Sequence, residues 1–335
     1  MKKFIFILIL SLIANSKCLA EKTDSVYIFT SFREPSTAGL QYLYSFDALH
    51  WDTLGGVWMK PKIGNEKPYI DSFTGETKTP TFCPTHVLRD PSILQGPDGT
   101  FHLVWTIAWS GSLGFGYSHS KDLIHWSPQI EIPVMSDIAT NNVWAPELFY
   151  DDIKDEYLII WSSAISPLLY TDADKMGTNT AHRPFYTKTK DFLTFTPTKL
   201  YYDIGYNSID GFLVKKDSAD YRFILKDNRK PGYSKILCVE GPTPEGPFGN
   251  PIMLGTPEYS EGACAIKVGD AWIIYFDVYK QFRYGAVSTT DFKTFTSIDD
   301  QISIPVGHKH GTIVKISKKQ FKRLKKVAKK TLRKQ

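Results

Sequence analysis

Four acidic residues stand at the start of similar stretches of the chain and could supply the carboxyl groups of a catalytic site. Each precedes an apolar run, a turn and a second apolar run, and the four are Asp90, Glu147, Asp210 and Glu261. The clearest turn is 96–99, Gly-Pro-Asp-Gly, which is typical of a β-hairpin connection. The acids are separated by 57, 63 and 51 residues. We therefore expect them at one phase of a structural repeat and at one end of a common axis.

Carboxyl groups that meet in this way suit the hydrolysis of a glycosidic bond. That reaction needs two of them across the scissile bond, one protonated as an acid and one ionised as a base or nucleophile. A separation of roughly 6.5–9.5 Å leaves room for a water molecule and gives inversion at the anomeric carbon. A third acid nearby can raise the pKa of the acid through like-charge repulsion. The spacing does not decide which acid takes which role.

Short β-strands are the elements that must position these acids. The interval between the acids is close to that of a four-stranded propeller blade. The first strand, at residues 26–30, has no acid-led strand before it, and a matching strand is found instead at 310–316. We therefore predict an all-β fold, a five-bladed β-propeller whose ring is closed by pairing of the N- and C-terminal strands. The third strands end in turns whose aspartates can hydrogen-bond the local backbone, namely Asp47, Asp122, Asp191 and Asp291.

The charge of the chain is unevenly distributed. Its net charge is +5, but eleven of the 40 Lys and Arg follow residue 314 and three lie in the first 20 residues. The remaining 26 face all 35 acidic residues, which gives the body a net charge of −9. Such a surface does not favour nucleic acid as a partner. The basic segment 317–335 carries a narrow apolar stripe and is predicted to be an amphipathic helix. It would lie on the propeller or fray in solvent, or attach to an anionic envelope surface or polyanionic glycan.

The N-terminus has the pattern of a secretory signal. Two lysines precede an apolar run that is too short to span a bilayer, and small residues follow near Ala20. We expect cleavage after residue 20, export, and a catalytic domain at 21–316 with no transmembrane segment. A lipoprotein anchor at Cys18 is the weaker alternative, because the residues before it are not small and apolar. The mature chain would keep Cys83, Cys238 and Cys264, so at most one disulfide could form.

Five motifs in sequence order resemble those of glycoside hydrolase family 43, over nearly the whole mature chain. The resemblance implies a five-bladed β-propeller and inverting hydrolysis of furanosides or xylosides. It also implies that Asp90 is the general base, Asp210 the residue that modulates the pKa of the acid and orients it, and Glu261 the general acid. One motif departs from the family, because Ala263 replaces the usual proline after Glu-Gly. The motifs are Arg89-Asp90-Pro91, Val143-Trp144-Ala145-Pro146-Glu147, Ser208-Ile209-Asp210, Ser260-Glu261-Gly262 and His308-Lys309-His310-Gly311-Thr312.

Further residues are expected to contact the substrate or support the site. His310 matches a histidine at the propeller axis that sits beside a calcium or a water in some family members, so a metal is left open there. No nucleotide or flavin motif is visible, and no organic cofactor is expected. The expected substrate-binding residues are Arg89, Trp109, Trp144, Glu147, Arg283 and His310. A surface ion pair for Arg283 and a purely structural role for Trp144 are the alternatives.

The expected function is removal of terminal α-L-arabinofuranosyl units from poly- or oligosaccharides by an exported, exo-acting enzyme. β-D-Xylosidase or galactofuranosidase activity is the alternative within the family, because the loops at 106–114 and 162–182 do not reveal the shape of the sugar. The alternative from another class is a glycan-binding propeller without catalysis. That alternative predicts that one of the three catalytic acids is absent or misplaced.

Overall fold

The computed structural model describes residues 25–64, 67–80, 86–176 and 180–332. These residues form five four-stranded sheets that are arranged as the blades of a propeller, and one two-stranded sheet. The predicted fold class is therefore confirmed. The expected signal segment, Cys18 and Cys83 lie outside the described residues.

Each blade is built from four short strands. Blade 1 contains β1 (Ser25–Ser31), β2 (Leu40–Ser45), β3 (Asp52–Met59) and β22 (Ile313–Ser317), and the two-stranded sheet contains β4 (Tyr69–Ile70) and β5 (Thr77–Lys78). Blade 2 contains β6 (Arg89–Gln95), β7 (Phe101–Thr106), β8 (Gly114–Ser120) and β9 (Ile130–Pro133). Blade 3 contains β10 (Trp144–Asp151), β11 (Glu156–Ala164), β12 (His182–Thr189) and β13 (Lys199–Leu200). Blade 4 contains β14 (Ser208–Asp217), β15 (Asp220–Asp227), β16 (Ile236–Gly241) and β17 (Ile252–Met253). Blade 5 contains β18 (Ser260–Val268), β19 (Ala271–Val278), β20 (Arg283–Thr289) and β21 (Thr296–Ser297).

The ring closes through its two ends. Strand β22 pairs antiparallel with β1, from Ser25 opposite Ser317 to Phe29 opposite Ile313. Strands β6, β10, β14, β18 and β22 contact one another around the ring, so the first strand of each sheet lies next to the axis. Residues at the start of these strands are consequently brought to a shared position.

The core is divided among the five interfaces between neighbouring blades. Each interface holds one cluster of buried apolar side chains. In β7, for example, Leu103 and Trp105 face blade 1 whereas Val104 faces blade 3. Both faces of each blade are thus covered, which explains why the strands are nearly continuous apolar runs rather than alternating ones.

The predicted turns are present at the ends of the third strands. In each of them a carboxylate oxygen of the aspartate accepts hydrogen bonds from the backbone N–H groups two and three residues later. The residue after the aspartate has a positive φ, at Ala48, Leu123, Phe192 and Phe292.

A single α-helix, α1 (Lys318–Leu332), follows β22 within the described chain. Its start is capped reciprocally: Ser317 Oγ accepts from the Gln320 N–H, and Gln320 Oε1 accepts from the Ser317 N–H. Phe321, Leu324 and Ala328 are buried in the cluster between blades 1 and 2. Among the described residues, no helix is long and apolar enough to cross a membrane.

Candidate active site

A β-bulge near the start of the axial strand positions the candidate residues in four of the blades. In each bulge two residues of the axial strand lie opposite one residue of the second strand. The first residue of the bulge has a positive φ, between +46° and +61°. This residue is Asp90 in blade 2, Ala145 in blade 3, Asp210 in blade 4 and Gly262 in blade 5.

The bulges correct the expectation that the four acids share one phase of the repeat. Asp90 and Asp210 do occupy equivalent positions, but Glu261 lies one residue before the bulge and Glu147 two residues after its first residue. Glu261 still lines the pocket from its position before the bulge, whereas Glu147 does not. The blades therefore do not contribute four equivalent carboxyl groups.

Three acids from three different blades nevertheless meet in one pocket. Its empty space, counted out to the open mouth, is about 430 Å³. The lining contains the three expected catalytic acids and four of the six expected substrate-binding residues. The lining residues are Arg89, Asp90, Thr106, Trp109, Trp144, Ile209, Asp210, Glu261 and His310.

Asp90 is held as an ionised carboxylate. Its Oδ2 accepts a hydrogen bond from Thr106 Oγ1 at 2.8 Å, and its Oδ1 lies 3.3 Å from His310 Nδ1. Burial alone raises the pKa of Asp90, but the opposing effects of His310, Arg89 and Thr106 lower it to about 2. Thr106 is fixed in turn, because its Oγ1 accepts from the Ala145 N–H at 2.7 Å. At neutral pH this carboxylate can accept a proton from a water molecule.

Asp210 is in a different electrostatic state. Its Oδ2 accepts a hydrogen bond from the Gly262 N–H at 2.9 Å, so a backbone group of blade 5 orients a carboxylate of blade 4. Burial raises the pKa of Asp210; His310 and Lys226 oppose this effect, whereas Glu261 adds to it. The net effect raises the pKa of Asp210 above that of an ordinary aspartate, whereas the pKa of Asp90 lies below it. The two aspartates occupy equivalent positions but have opposite pKa shifts.

Glu261 forms a buried ion pair with Lys226. Lys226 Nζ donates to Glu261 Oε2 at 2.9 Å, and the Lys226 side chain is only 3% exposed. The ammonium group also lies 4.8 Å from the centre of the Tyr279 ring. Burial acts to raise the pKa of Glu261, but Lys226, with smaller effects of Lys309 and His310, lowers it below the ordinary value. Lys226 was not among the residues predicted from the sequence.

A backbone hydrogen bond and a neighbouring glycine fix the position of His310 among the acids. Its N–H donates to Asp277 Oδ2 at 3.0 Å. A Cβ on Gly262 would lie 2.6 Å from His310 Cγ, so only glycine leaves room for the imidazole at this bulge. Burial lowers the pKa of His310, but Asp90, Asp210 and Asp277 outweigh it and raise the pKa to about 9. His310 is consequently a cation at neutral pH.

Aromatic side chains and an arginine form the opposite wall. The Arg89 guanidinium lies 4.2 Å from the Trp109 ring centre and 2.6 Å from Glu34 Oε1. Trp144 Nε1 donates to the Trp109 carbonyl at 2.8 Å, and the Trp144 ring stacks on His182 at 4.6 Å between centres. These contacts hold two indoles in fixed positions at the pocket. Flat apolar surfaces next to charged groups suit a sugar ring, which has an apolar face and hydroxyl edges.

Two of the expected substrate-binding residues lie outside the pocket lining. Glu147 is buried, and burial, opposed by a hydrogen bond with Ser92, raises its pKa to about 8. Its position favours the supporting role that was predicted beside substrate contact. Arg283 forms an ion pair with Asp299 at 2.8 Å and also donates to Gln281 Oε1. These contacts agree with a structural ion pair, and the expected substrate contact of Arg283 is not supported by its position.

The residues around His310 do not fit a metal site. His310 Nδ1 lies 3.3 Å from Asp90 Oδ1, so this ring nitrogen already has a carboxylate partner. Within the part of the chain that the structure describes, no group of three or more His, Cys, Asp or Glu side chains could hold a metal ion. The calcium that the resemblance left open therefore has no ligand set among these residues.

Comparisons with known proteins agree with this fold and these motifs. A curated protein named alpha-L-arabinofuranosidase, from Bifidobacterium longum subsp. longum, is 26% identical over 200 residues. The match covers 48% of this chain but only 18% of that much longer relative.

Two solved structures share the fold, and at their low sequence identities the similarity concerns the fold alone. An alpha-L-arabinofuranosidase from Lactobacillus brevis superposes with a TM-score of 0.51 at 17% identity, over 63% of this chain and 72% of its own.

The second structure is a thermostable family-43 glycoside hydrolase, with a TM-score of 0.54 at 14% identity, over 68% of this chain and 79% of its own. A family model described as a probable glycosyl hydrolase domain, related to family 43, matches residues 24–322. The resemblance seen in the motifs is thereby confirmed. Since the match spans most of the chain, the protein belongs to this family of glycoside hydrolases related to family 43.

Proposed function

We propose that the protein is an inverting, exo-acting glycosidase that removes terminal α-L-arabinofuranosyl units from poly- or oligosaccharides. The observation that carries the proposal is the convergence of Asp90, Asp210 and Glu261, from three blades, on one pocket. The three carboxyl groups are in different electrostatic states, with the pKa lowered for Asp90 and raised for Asp210. Acid–base catalysis needs one ionised and one protonated carboxyl group. Asp90 is the ionised one, and the raised pKa of Asp210 makes the Asp210–Glu261 pair the place where a proton is held.

In this proposal Asp90 is the general base. A base must be ionised before it can take a proton from water, and the pKa of about 2 keeps Asp90 ionised at any pH at which the protein would act. Thr106 and His310 hold its two oxygens from different directions. His310 stays protonated beside it and balances the negative charge.

Glu261 is proposed as the general acid and Asp210 as the residue that tunes and orients it. The Gly262 N–H ties Asp210 to the residue that follows Glu261, so the two carboxyl groups are held in a fixed relation. Repulsion between them favours protonation of one member, whereas Lys226 favours the ionised form of Glu261. The protonated fraction of Glu261 therefore falls as the pH rises, and we expect an acidic pH optimum.

The arabinofuranosyl preference is supported by the similarity to the Bifidobacterium alpha-L-arabinofuranosidase, at 26% identity. β-D-Xylosidase or galactofuranosidase activity is the alternative within the same mechanism. The rival of another class, a glycan-binding propeller without catalysis, requires one of the acids to be misplaced. All three line the pocket, which favours the enzyme. Action on a carbohydrate outside the cell, after export, is part of the proposal and depends on the N-terminal segment predicted from the sequence.

A panel of nitrophenyl furanosides and pyranosides tests the proposal. We expect release of nitrophenol from the α-L-arabinofuranoside, with slower or no release from the β-D-xyloside and the galactofuranoside. The Asp90→Asn variant is the control for contaminating activity. Binding of arabino-oligosaccharides without turnover of any glycoside would favour the binding protein instead.

A further inference from the structure

A groove on the outside of the propeller shares no lining residue with the candidate active site. It lies where blades 1 and 2 meet, and its empty space is about 1120 Å³. Trp58 of β3 and Trp126, which follows β8, contribute indole rings to its wall. Lys60 and Lys62 are exposed at the same groove. The groove thus combines aromatic surfaces with cations.

Hydrogen bonds across the two blades hold this groove in shape. Gln129 Oε1 accepts from the Lys62 N–H at 2.8 Å, and Gln129 Nε2 donates to the Lys60 carbonyl at 2.7 Å. Trp58 Nε1 donates to the Leu54 carbonyl at 2.7 Å, and its ring packs 5.0 Å from that of Tyr42. The aromatic wall is therefore preorganised, which lowers the entropic cost of binding a ligand.

Helix α1 borders the groove. A Cβ built on Gly55 would lie 2.9 Å from Ala328 Cβ of the helix and 3.7 Å from the Trp58 ring, so helix and indole meet at this glycine. On the other side Arg323 reaches Asp122, whose carboxylate caps the turn that leads to Trp126. These two contacts place the helix beside the groove, at the same junction of blades 1 and 2.

The outer face of α1 is strongly cationic. Its 15 residues contain no acid and would extend about 22 Å at the usual rise per residue. The apolar face, with Phe321, Leu324 and Ala328, is already buried against the propeller. The exposed cations are Lys319, Lys322, Arg323, Lys325, Lys326, Lys329 and Lys330.

We propose that the groove at Trp58 and Trp126, together with the exposed cations of α1, binds an anionic polysaccharide at a site separate from the catalytic pocket. Indole rings cover the apolar faces of sugar rings, and lysines pair with carboxylate or sulfate groups along the chain. An anionic membrane fits less well. A helix that binds bilayers inserts an apolar face, and the apolar face of α1 is occupied by the protein itself. The surface would hold the enzyme on a charged polymer whatever sugar the pocket removes.

The test compares two charge-matched triple variants of the full chain by affinity electrophoresis. Lys322→Gln/Lys326→Gln/Lys329→Gln removes three exposed helix cations, and glutamine has nearly the same helix propensity as lysine. Lys199→Gln/Lys230→Gln/Lys293→Gln removes three exposed cations from other blades. The probes are polygalacturonate, dextran sulfate, neutral arabinan, and vesicles that contain phosphatidylserine.

We expect an anionic polysaccharide in the gel to slow the migration of the unmodified protein. Neutral arabinan should not bind to this surface. The helix variant should bind that polysaccharide about tenfold more weakly, given the usual contribution of exposed charge pairs, while the control variant changes less than about twofold. Lys60→Gln/Lys62→Gln should weaken binding in the same direction, without disturbing any buried side chain. Preference for polygalacturonate or for dextran sulfate would support the proposal and identify the anionic group.

Equal binding by the helix variant and its control would overturn the proposal, and so would binding to the vesicles without binding to either anionic polysaccharide. Release of nitrophenol from a small glycoside is measured in parallel and should be unchanged in all these variants. Because that readout does not involve the groove, failure of the proposed binding and failure of the proposed hydrolysis are distinguishable.

Discussion

Replacing Lys226 with methionine should move the alkaline limb of the pH profile to higher pH. The substitution keeps the length of the side chain but removes the ammonium group 2.9 Å from Glu261 Oε2. Lys226 is the strongest of the influences that lower the pKa of Glu261, so this pKa should rise in the variant. A proton donor works only in its protonated form, and a higher pKa keeps Glu261 protonated to higher pH.

The size of the shift follows from the geometry. Two unit charges 2.9 Å apart interact by about 6 kcal/mol at an effective dielectric constant of 20, before the cost of desolvating both groups is subtracted. Opposite charges this close usually lower a carboxyl pKa by about 1–3 units, at about 1.4 kcal/mol per unit. Lys309 and His310 remain in the variant and continue to lower the pKa of Glu261. We therefore expect the alkaline limb of the kcat/KM profile to shift to higher pH by about 1–3 pH units.

Stability should change with pH in a related way. Because the pKa of Glu261 is lowered in the folded protein, the ion pair stabilises it above the ordinary glutamate pKa. This stabilisation is lost as the pH falls through the lowered value. Loss of one partner of a buried pair typically costs about 3–5 kcal/mol. The variant should therefore be destabilised most at neutral pH and least in acid, where Glu261 is protonated.

The assay is the pH dependence of kcat/KM on an arabinoside with a poor leaving group. Lys293→Met, at an exposed position of blade 5, is the matched control for net charge and should leave both limbs in place. An unmoved alkaline limb in a folded Lys226→Met protein would refute the reasoning, since either Glu261 is not the donor or Lys226 does not set its pKa.

Three further substitutions test individual residues of the pocket. Asp90→Asn should lower kcat by about 10²–10⁴-fold with little change in the Kd for an arabino-oligosaccharide measured by calorimetry; turnover near normal would remove Asp90 from the base role. Glu261→Gln should impair an arabinoside with a poor leaving group far more than an aryl arabinoside, and equal losses on both would reassign the acid. Gly262→Ala should lower stability by about 1–3 kcal/mol and reduce kcat, because its Cβ would lie 2.6 Å from His310 Cγ. Gly269→Ala has nearly the same positive φ but nothing within 4 Å of the added Cβ, so similar losses of activity in both variants would contradict the proposed role of that contact.

The blade architecture could be predicted from the sequence because its signals are local. Short apolar runs, turns with aspartate and a regular interval mark the blades, and an unpaired strand at each end indicates how the ring closes. The phase of the acids could not be predicted in this way. A bulge adds one residue to the axial strand, and an interval counted along the chain does not show on which side of a bulge an acid lies. Glu147 and Glu261 were therefore placed in register with Asp90 and Asp210, which is wrong.

Two residues of the site that the sequence pattern did not indicate lie on the second strands of blades 2 and 4. Thr106 pairs with Arg89 and Lys226 pairs with Ile209, so each stands opposite the residue that precedes an aspartate of the pocket. Within an apolar run such a Thr or Lys looks like an ordinary strand end. A signal was present, because a lysine buried among apolar residues needs a partner, and antiparallel pairing places it beside the axial acid.

The anomeric configuration of the first-formed sugar tests most directly whether this pocket hydrolyses a glycoside with Asp90 as a base that activates water. Proton NMR during hydrolysis of nitrophenyl α-L-arabinofuranoside, recorded before mutarotation, should show β-L-arabinofuranose as the first product. Initial formation of the α-anomer would mean retention through a covalent intermediate, and would contradict the roles assigned to Asp90, Asp210 and Glu261.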